Sequence, residues 1–351
     1  MGKLAVYKYF SFMILVITLL MAIFTIFGLF GGNVNPATNT VMAMLVYVMP
    51  VLVVGNFVML LFWLIRRRWH WAAIPAITLL CCIPYIGTLY QPGLLHSSSE
   101  AKSGLKIATY NVAAFGREIT GFKAEDILSE MKRQKVDVLC LQEYMEKSGD
   151  KNNSESYKEY FNFMQKGRDD MVIFSRYPIK KTQIIDFGPT NNSGMWADID
   201  INGRIIRFFN VHLETTGFNR TLHKVAKLKV QGSNIEDNAI ISAIYGNYTL
   251  GMIVRAGQAN LVAQEVRQSQ HPVVVCGDLN DVPYSYTYNT VKGNLIDGFT
   301  ESGKGFMSTF RGKKKVRIDY IFHDESLTGE KYFTEDLSYS DHKPVFMKIV
   351  L

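Results

Sequence analysis

The first 99 residues contain no aspartate or glutamate, and this acid-free segment constrains the fold more than any other feature of the chain. Within it lie three apolar stretches, at residues 10–30, 41–65 and 72–90. Each is close to the ~20 residues that an α-helix needs to cross the hydrocarbon core of a bilayer. The third contains two prolines, which membrane helices tolerate. We therefore predict a transmembrane module of about three helices over residues 1–92.

Basic residues flank these stretches unevenly and predict the orientation of the module. Lys3 and Lys8 precede the first stretch, three consecutive arginines from Arg66 separate the second from the third, and the loop 31–40 is uncharged. Because cytoplasmic loops carry an excess of Lys and Arg, both basic segments are predicted to face the cytoplasm. Three crossings then place the rest of the chain outside the plasma membrane, or in the periplasm of a cell with an outer membrane. Loss of the third crossing would reverse this topology.

A signal peptide is the competing interpretation of the first apolar stretch. That stretch is longer than a typical signal core, has no evident small-x-small cleavage site, and is followed by two further apolar stretches. An integral plasma-membrane protein is therefore the favoured interpretation.

Charge and cysteine content argue against two classes of function. Five of the 38 Lys and Arg and none of the 31 Asp and Glu lie before residue 100, which leaves 33 basic against 31 acidic residues in the remainder. The net charge of +7 thus reflects mostly the flanks of membrane segments, and it lends little support to a nucleic-acid-binding surface. The four cysteines show no paired zinc motif and no disulfide framework, so they are predicted to be small buried apolar residues.

After a polar connector at residues 93–104, residues 105–351 are predicted to form one mixed α/β domain, because short apolar runs alternate with amphipathic ones. The dipeptide Asn202-Gly203 lies between two such runs and predicts a tight hairpin, so the sheet has antiparallel content. Residues 216–255 have a weak pattern and are interpreted as an additional helix and loop, with a substrate-facing excursion or a membrane-contacting element as alternatives. Strands are predicted at residues 105–111, 136–141, 171–175, 196–201, 204–212, 272–276, 316–322 and 345–350, and helices at residues 124–135 and 256–268.

Polar residues stand at the ends of several predicted strands. The six motifs are Tyr110-Asn111-Val112, Leu141-Gln142-Glu143, Asn210-Val211-His212-Leu213, Gly277-Asp278-Leu279-Asn280, Arg317-Ile318-Asp319-Tyr320 and Ser340-Asp341-His342. Each motif alone has an ordinary explanation, such as a solvated strand end, a turn cap or an Asp-His pair in which each side chain satisfies the other. Their ordered combination favours a catalytic site. The series resembles the endonuclease/exonuclease/phosphatase superfamily, which includes pancreatic deoxyribonuclease, abasic-site endonucleases, sphingomyelinases and inositol-phosphate phosphatases.

This resemblance covers residues 105–351 and implies both a fold and a metal. The fold is a four-layer α/β/β/α sandwich of two mixed sheets with helices outside, and the active site lies at one end of the sheets. The implied cofactor is Mg²⁺, with Mn²⁺ as an alternative, and Glu143 is the best candidate ligand, assisted by Asn111 and Asp341. Magnesium prefers oxygen ligands and keeps several waters, so one or two carboxylates and an amide suffice.

The same resemblance implies catalytic roles for five residues. Asp278 would align or deprotonate the attacking water, and Asn280 would hold this water or the phosphate. His342 would contact the phosphate with its ring oriented by Asp319, a pairing that fixes the tautomer and favours the imidazolium. His212 would be a second donor that stabilises the pentacovalent phosphorus or protonates the leaving oxygen.

The function that follows is a membrane-anchored, divalent-metal-dependent phosphoesterase that hydrolyses phosphate mono- or diesters. Its substrate is lipid-linked or a small phosphorylated molecule, because an anchored site meets membrane-held substrates at high effective concentration. The alternative is an extracytoplasmic endonuclease or exonuclease acting on DNA or RNA, which the near-balanced charge of residues 105–351 disfavours. A minor alternative is a non-catalytic module that binds phosphorylated ligands.

Overall fold

A computed structural model gives the fold of most of the chain. The part of the predicted connector at residues 94–103 and much of the segment 216–255 lie outside the described residues. The residues that the structure describes are 3–93, 104–113, 124–144, 157–168, 170–190, 192–217, 225, 227, 237–312 and 315–351.

Apolar helices form the first part of the chain. Two segments, Tyr7–Gly31 and Thr40–Ile65, are long and apolar enough to cross a membrane. The module comprises α1 (Lys3–Gly31), α2 (Thr40–Met44), a 3-10 turn (Leu45–Val48), α3 (Met49–Ile65), α4 (Trp69–Cys81) and α5 (Ile83–Leu89).

The third predicted crossing is a broken helix. Its two pieces, α4 and α5, meet at Cys82 with a bend of 52°, and together they qualify as one span only if the bent pair is counted as a unit. Pro84 lies in the first turn of α5, where its ring cannot continue the hydrogen bonding of the preceding helix. The module therefore has two continuous spans, or three with the bent pair.

Side-chain hydrogen bonds join the two continuous spans. Trp63 Nε1 donates to Thr18 Oγ1 at 3.0 Å, and Asn56 Nδ2 donates to Thr25 Oγ1 at 2.8 Å. All four residues are buried between helices whose other faces are largely exposed and apolar. Such interhelical hydrogen bonds are a common means of associating helices inside a membrane.

The rest of the chain is built on two six-stranded mixed sheets. Sheet I contains, in spatial order, β13 (Thr328–Thr334), β14 (Val345–Val350), β2 (Leu105–Asn111), β3 (Val138–Gln142), β5 (Val172–Ser175) and β4 (Phe163–Lys166). Sheet II contains β10 (Ile296–Asp297), β12 (Asp319–His323), β9 (Val273–Asp278), β8 (Arg204–His212), β7 (Gly194–Ile201) and β6 (Ile179–Ile185). The pairs β2-β3 and β8-β9 are parallel, and the other neighbouring strands in these sheets are antiparallel.

The two sheets face each other, and helices cover their outer faces. Successive strand residues point to opposite faces, so Ile107 lies between the sheets while Ala108 packs outward against a helix. The predicted four-layer α/β/β/α sandwich is therefore confirmed. The outer helices are α6 (Ala124–Gln134) on sheet I and α7 (Asp237–Arg267) and α8 (Tyr286–Lys292) on sheet II, and a short α9 (Gly298–Ser302) follows β10.

Some predicted boundaries were wrong. Helix α7 begins at Asp237, whereas the helix was predicted from residue 256, because the preceding residues are apolar on all sides and show no helical period. Strand β12 begins at Asp319 and not at residue 316. Strands β4 and β6 were not predicted, since both lie at sheet edges and expose most of their side chains.

The helical module docks on the same sheet end at which β2, β8 and β9 finish. The module also contributes β1 (Tyr90–Gln91), which pairs with β11 (Gly305–Phe306). Asn289 Nδ2 donates to the carbonyl of Gly32 at 2.9 Å. A Cβ on Gly32 would collide with the carbonyl oxygen of Tyr284, so this close approach requires glycine.

Candidate active site

Six strand ends meet at one edge of the two sheets. Parallel strands finish at the same edge, and here β2 ends at Asn111, β8 at His212 and β9 at Asp278. Strand β12 runs antiparallel to β9 and begins at this edge, with Asp319 directly opposite Asp278. The other predicted site residues follow β3 or β9, or precede β14: Glu143, Asn280, Asp341 and His342.

Asp278 is at the centre of the cluster. Its Oδ2 atom accepts from Asn111 Nδ2 at 3.1 Å, and its Oδ1 atom accepts from the backbone N–H of Asn280 at 2.7 Å. The side chain of Asn280 donates to the carbonyl of Leu213 at 2.9 Å, which ties the turn after β9 to the turn after β8. Burial, and next the negative charge of Asp319, raise the pKa of the Asp278 carboxyl above its ordinary range.

The backbone around Asp278 allows this convergence. A Cβ on Gly277 would collide with the carbonyl oxygen of Val211, and the φ of Gly277 is 142°, so glycine lets β9 approach β8 closely just before the carboxylate. Glu143 and Asn280 also have positive φ angles, 53° and 51°. Left-handed backbone is uncommon for a residue with a side chain, and such conformations cluster at functional sites.

His342 and Asp319 form one carboxylate–imidazole pair. The Nδ1 atom of His342 lies 2.9 Å from Asp319 Oδ2, and its Nε2 atom lies 3.7 Å from Asp278 Oδ2. Burial alone would lower the pKa of His342, but the charges of Asp319 and Asp278 raise it to about 10. The ring is therefore oriented by Asp319 so that its Nε2 atom faces Asp278.

His212 has an equivalent partner that the sequence reasoning missed. Its Nδ1 atom lies 3.1 Å from Asp170 Oδ2, and its Nε2 atom lies 3.7 Å from Glu143 Oε1 and 3.9 Å from Asp278 Oδ2. Burial would lower the pKa of His212, but the hydrogen bond to Asp170 and the charge of Asp278 raise it to about 9. The only signal for Asp170 in the sequence is its position just before the apolar run of β5.

The predicted metal ligands form the open side of the cluster. The side chain of Glu143 is 40% exposed, and Asp341 is exposed at the same edge. Asn111 Oδ1 accepts from the backbone N–H of Ala113 at 3.0 Å, while its Nδ2 atom donates to Glu143 Oε1 at 3.0 Å. In this orientation Asn111 acts as a donor to carboxylates, and its role as a metal ligand stays a prediction.

The donor set fits a hard divalent cation. The cluster contains five carboxylates and two imidazoles: Asp170, Asp278, Asp319, Asp341, Glu143, His212 and His342. The site stays negative even when both rings are protonated, so a bound cation would be stabilised there. Within this group, one ligand atom each from Asp278, Asp319 and His342 lies within 4.8 Å of the other two.

Buried amides hold the two sheets together beneath the site. Gln142 Nε2 donates to Thr109 Oγ1 at 3.0 Å and to Asn210 Oδ1 at 2.6 Å. Asn210 Nδ2 in turn donates to the carbonyls of Leu141 and Val172. Asn210 belongs to sheet II and its partners to sheet I, so these two motif residues fix the distance between the sheets that carry the catalytic groups.

Comparison with known proteins assigns the chain to a family. The family described as "Endonuclease/Exonuclease/phosphatase family" matches residues 108–342, which is more than half of the chain and includes each predicted site residue. The chain belongs to the endonuclease/exonuclease/phosphatase family. A second family, described as "Domain of unknown function (DUF8431)", matches residues 11–89 of the helical module. A comparison with curated proteins found no match.

Solved structures of family members share the fold. A humanised TDP2 from D. rerio is 18% identical with a TM-score of 0.53, and it covers 71% of this chain and 100% of its own. An endonuclease/exonuclease/phosphatase from Beutenbergia cavernae is 17% identical with a TM-score of 0.52, covering 71% of this chain and 72% of its own. TDP2 from C. elegans is 15% identical with a TM-score of 0.53, covering 71% and 75%. At these identities the likeness establishes the fold of this family member, whose relatives hydrolyse phosphoester bonds.

Proposed function

We propose that this protein is a membrane-anchored, divalent-metal-dependent phosphoesterase that hydrolyses phosphate mono- or diesters by attack of water. The observation that carries the proposal is the convergence of two carboxylate–imidazole pairs on Asp278. Each ring is held through Nδ1 by its own carboxylate, and each Nε2 atom points toward Asp278 Oδ2, at 3.9 Å from His212 and 3.7 Å from His342. Two imidazolium donors beside one buried carboxylate suit a reaction in which a water loses a proton and phosphoryl oxygens gain charge.

Each group of residues has a separate role in the proposed reaction. Asp278 accepts the proton of the attacking water, because Asn111 and the backbone of Asn280 hold its carboxylate in place. The Nε2–H groups of His212 and His342 donate to the phosphate, and one of them passes a proton to the leaving oxygen. A Mg²⁺ or Mn²⁺ ion held by Glu143 and Asp341 would polarise the phosphoryl oxygens.

The position of the module supports one orientation in the membrane. The guanidinium of Arg66 lies 4.5 Å from the ring centre of Tyr7, so the triple arginine and the start of α1 share one end of the module. Gly32 and Thr88, at the other end, contact the catalytic domain. Because basic ends face the cytoplasm, we infer that the catalytic domain lies outside it. A reporter enzyme fused after Leu351 should be active only outside the cytoplasm, and cytoplasmic activity would reverse the orientation.

Within this activity, we favour phosphate esters held at the membrane, or small phosphorylated molecules, as the substrates. One neighbour, a TDP2 from D. rerio, has been solved with a single-stranded DNA product, so the fold accommodates nucleic acid in that protein. Residues 101–351 of this chain carry nearly equal numbers of basic and acidic residues, which does not favour a phosphate-backbone surface.

The test is substrate profiling of the full chain in nanodiscs. We expect Mg²⁺-dependent hydrolysis of bis(4-nitrophenyl) phosphate or 4-nitrophenyl phosphate that EDTA abolishes and added Mg²⁺ restores. The control variant is Glu325→Gln, an exposed carboxylate at the opposite end of β12, which should keep full activity. Rapid nicking of plasmid DNA with no turnover of the small esters would establish the nuclease alternative, and binding of phosphate esters without any turnover would establish the non-catalytic module.

A further inference from the structure

Helix α7 has two halves in different surroundings. Its carboxyl-terminal half packs on sheet II through buried residues such as Ala259 and Val262. Its amino-terminal half projects beyond the sheet, and there Ile241 is 64%, Tyr245 50% and Leu250 60% exposed. Exposed apolar side chains concentrated on one element mark a contact with another molecule or a membrane.

The composition of the projecting half identifies the kind of contact. There is no charged residue between Asp237 and Arg255, and the exposed side chains are large apolar ones together with a few small polar ones such as Ser242 and Asn247. An uncharged helix half with several exposed large apolar side chains is suited to a contact with protein or with a membrane. The absence of charge disfavours a nucleic-acid partner, and an exposed tyrosine such as Tyr245 is typical of the membrane–water interface.

The projecting half of α7 contacts the membrane-spanning module near the end of one span. Tyr248 packs edge-on against Tyr47, with ring centres 5.8 Å apart, and Tyr47 lies near the outer end of the span Thr40–Ile65. Tyr47 also donates to Asp281 Oδ1 at 2.8 Å, so the contact is part of the docking surface between module and catalytic domain. A bilayer around the module would therefore lie next to this half of α7.

The same helix holds the loop that follows the catalytic His212. Arg255 Nη1 donates to the carbonyl of Glu214 at 3.0 Å, and Gln258 Oε1 accepts from the N–H of Glu214 at 2.7 Å. Gly251 lies against the backbone of Thr216 in this loop. The helix that carries the exposed apolar half is thus joined directly to the loop that follows His212.

We propose that residues 238–250, the amino-terminal half of α7, insert into the outer interface of the bilayer beside the module and set the active-site edge against the membrane. As a consequence, the substrate is a phosphate ester in a lipid headgroup. This consequence rests on the proposed phosphoesterase function, whereas the membrane contact does not. The catalytic loops support this orientation, because Asp281 and Arg317, close in sequence to Asp278 and Asp319, both contact the module. A lipid headgroup next to the anchored site reaches it at high effective concentration.

Fluorescence quenching by a nitroxide in the lipid tests the membrane contact and does not require enzymatic activity. A bimane label on Ile241→Cys, in a Cys81→Ser background that removes the exposed native thiol, is compared with a label on Glu325→Cys. The full chain is placed, one copy per disc, in nanodiscs of phosphatidylcholine and phosphatidylglycerol with a nitroxide near the lipid headgroup. We expect strong quenching at position 241 and none at position 325. Equal, weak quenching at both positions would overturn the proposal, and so would shielding of position 241 that appears only when two copies share a disc.

A charge-insertion pair tests the consequence for substrate. We expect the double substitution Ile241→Glu and Tyr245→Glu to lower turnover of phosphatidylglycerol or phosphatidate in the bilayer by at least ~10-fold and to leave 4-nitrophenyl ester turnover unchanged. The matched control is Leu351→Glu, an exposed apolar residue at the far end of β14. Unchanged lipid turnover in the double variant would overturn the lipid assignment. A wild-type chain that hydrolyses neither substrate, yet is quenched at position 241, would refute the proposed function and retain the membrane contact.

Discussion

Two kinds of buried charged cluster lie side by side at the end of the sheets. They differ in whether their hydrogen-bonding groups are all paired within the protein or are partly available to a substrate. In the docking clusters, Arg317 meets Asp297 through two parallel hydrogen bonds of 3.0 and 2.8 Å, and Arg255 meets Asp281 at 3.1 Å. Guanidinium and carboxylate satisfy each other there, and the remaining N–H groups go to backbone or to the module. In the catalytic cluster, carboxylates meet imidazoles through one ring nitrogen only.

The difference shows how one strand end serves two purposes. Asp278 and Asp281 are three residues apart, and Arg317 and Asp319 are two apart. In each case one side chain faces the reacting edge and the other faces the module. A closed ion pair stabilises the docked arrangement, whereas the open nitrogen of an imidazolium remains available to a substrate. Substitutions in the two clusters should therefore separate activity from stability.

The largest expected effect is on activity in the open cluster. Asp278→Asn should lower kcat by ~10²–10⁴-fold, the usual contribution of a positioned general base. The amide has nearly the shape of the carboxylate, so thermal unfolding should stay close to that of the wild type. Steady-state kinetics beside the Glu325→Gln control measures the loss. Near-normal kcat in Asp278→Asn would remove this residue from the mechanism.

The next effect is on stability in the closed cluster. Arg317→Met leaves the buried Asp297 without its partner, and breaking a buried pair in this way costs ~3–5 kcal/mol. Thermal unfolding in nanodiscs should show a clearly lower midpoint for the catalytic domain. Adding Asp297→Asn should restore part of the loss, because no unpaired charge is then buried. An unchanged midpoint in Arg317→Met would mean that the pair is not a structural anchor.

A smaller effect is expected for the carboxylate that orients His212. Asp170→Asn removes the negative charge beside Nδ1 and replaces one carboxylate oxygen with an N–H donor, and loss of such an orienting partner typically lowers activity by ~10–100-fold. The change should appear in kcat with little change in KM, because in the proposed mechanism His212 donates to charge that develops in the transition state. Asp200→Asn, at the hairpin on the opposite end of β7, serves as the control. A change confined to KM would assign Asp170 to substrate binding.

The smallest effect is expected at the joint between the two regions. Tyr47→Phe removes the hydroxyl that donates to Asp281 and accepts from Arg255, a loss of ~1–2 kcal/mol for hydrogen bonds to charged groups. Thermal unfolding should detect it, and kcat should fall only slightly. Tyr9→Phe, on the exposed surface of α1, should change neither quantity. A loss of activity as large as that of Asp278→Asn would place Tyr47 in the catalytic cluster.

Sequence patterns predicted the parts of this protein that local rules control. The motifs predicted which residues meet at one edge of the sheets, because parallel strands end at a common edge and an antiparallel neighbour begins there. The edge strands β4 and β6 and the early start of α7 were not predicted, since their residues lack the burial periodicity on which such predictions depend. Asp170 was missed for a related reason, because its partner His212 is brought to it only by strand pairing.

By itself, the sequence determined the apolar membrane module and the α/β domain with its ordered motifs, because length, hydropathy and turn chemistry are properties of short segments. Only the tertiary structure decided that Asp170 orients His212, that Asn111 donates to two carboxylates, and that the module docks at the active-site edge. These contacts join residues far apart in the chain, and their geometry depends on how the two sheets and the helices pack together.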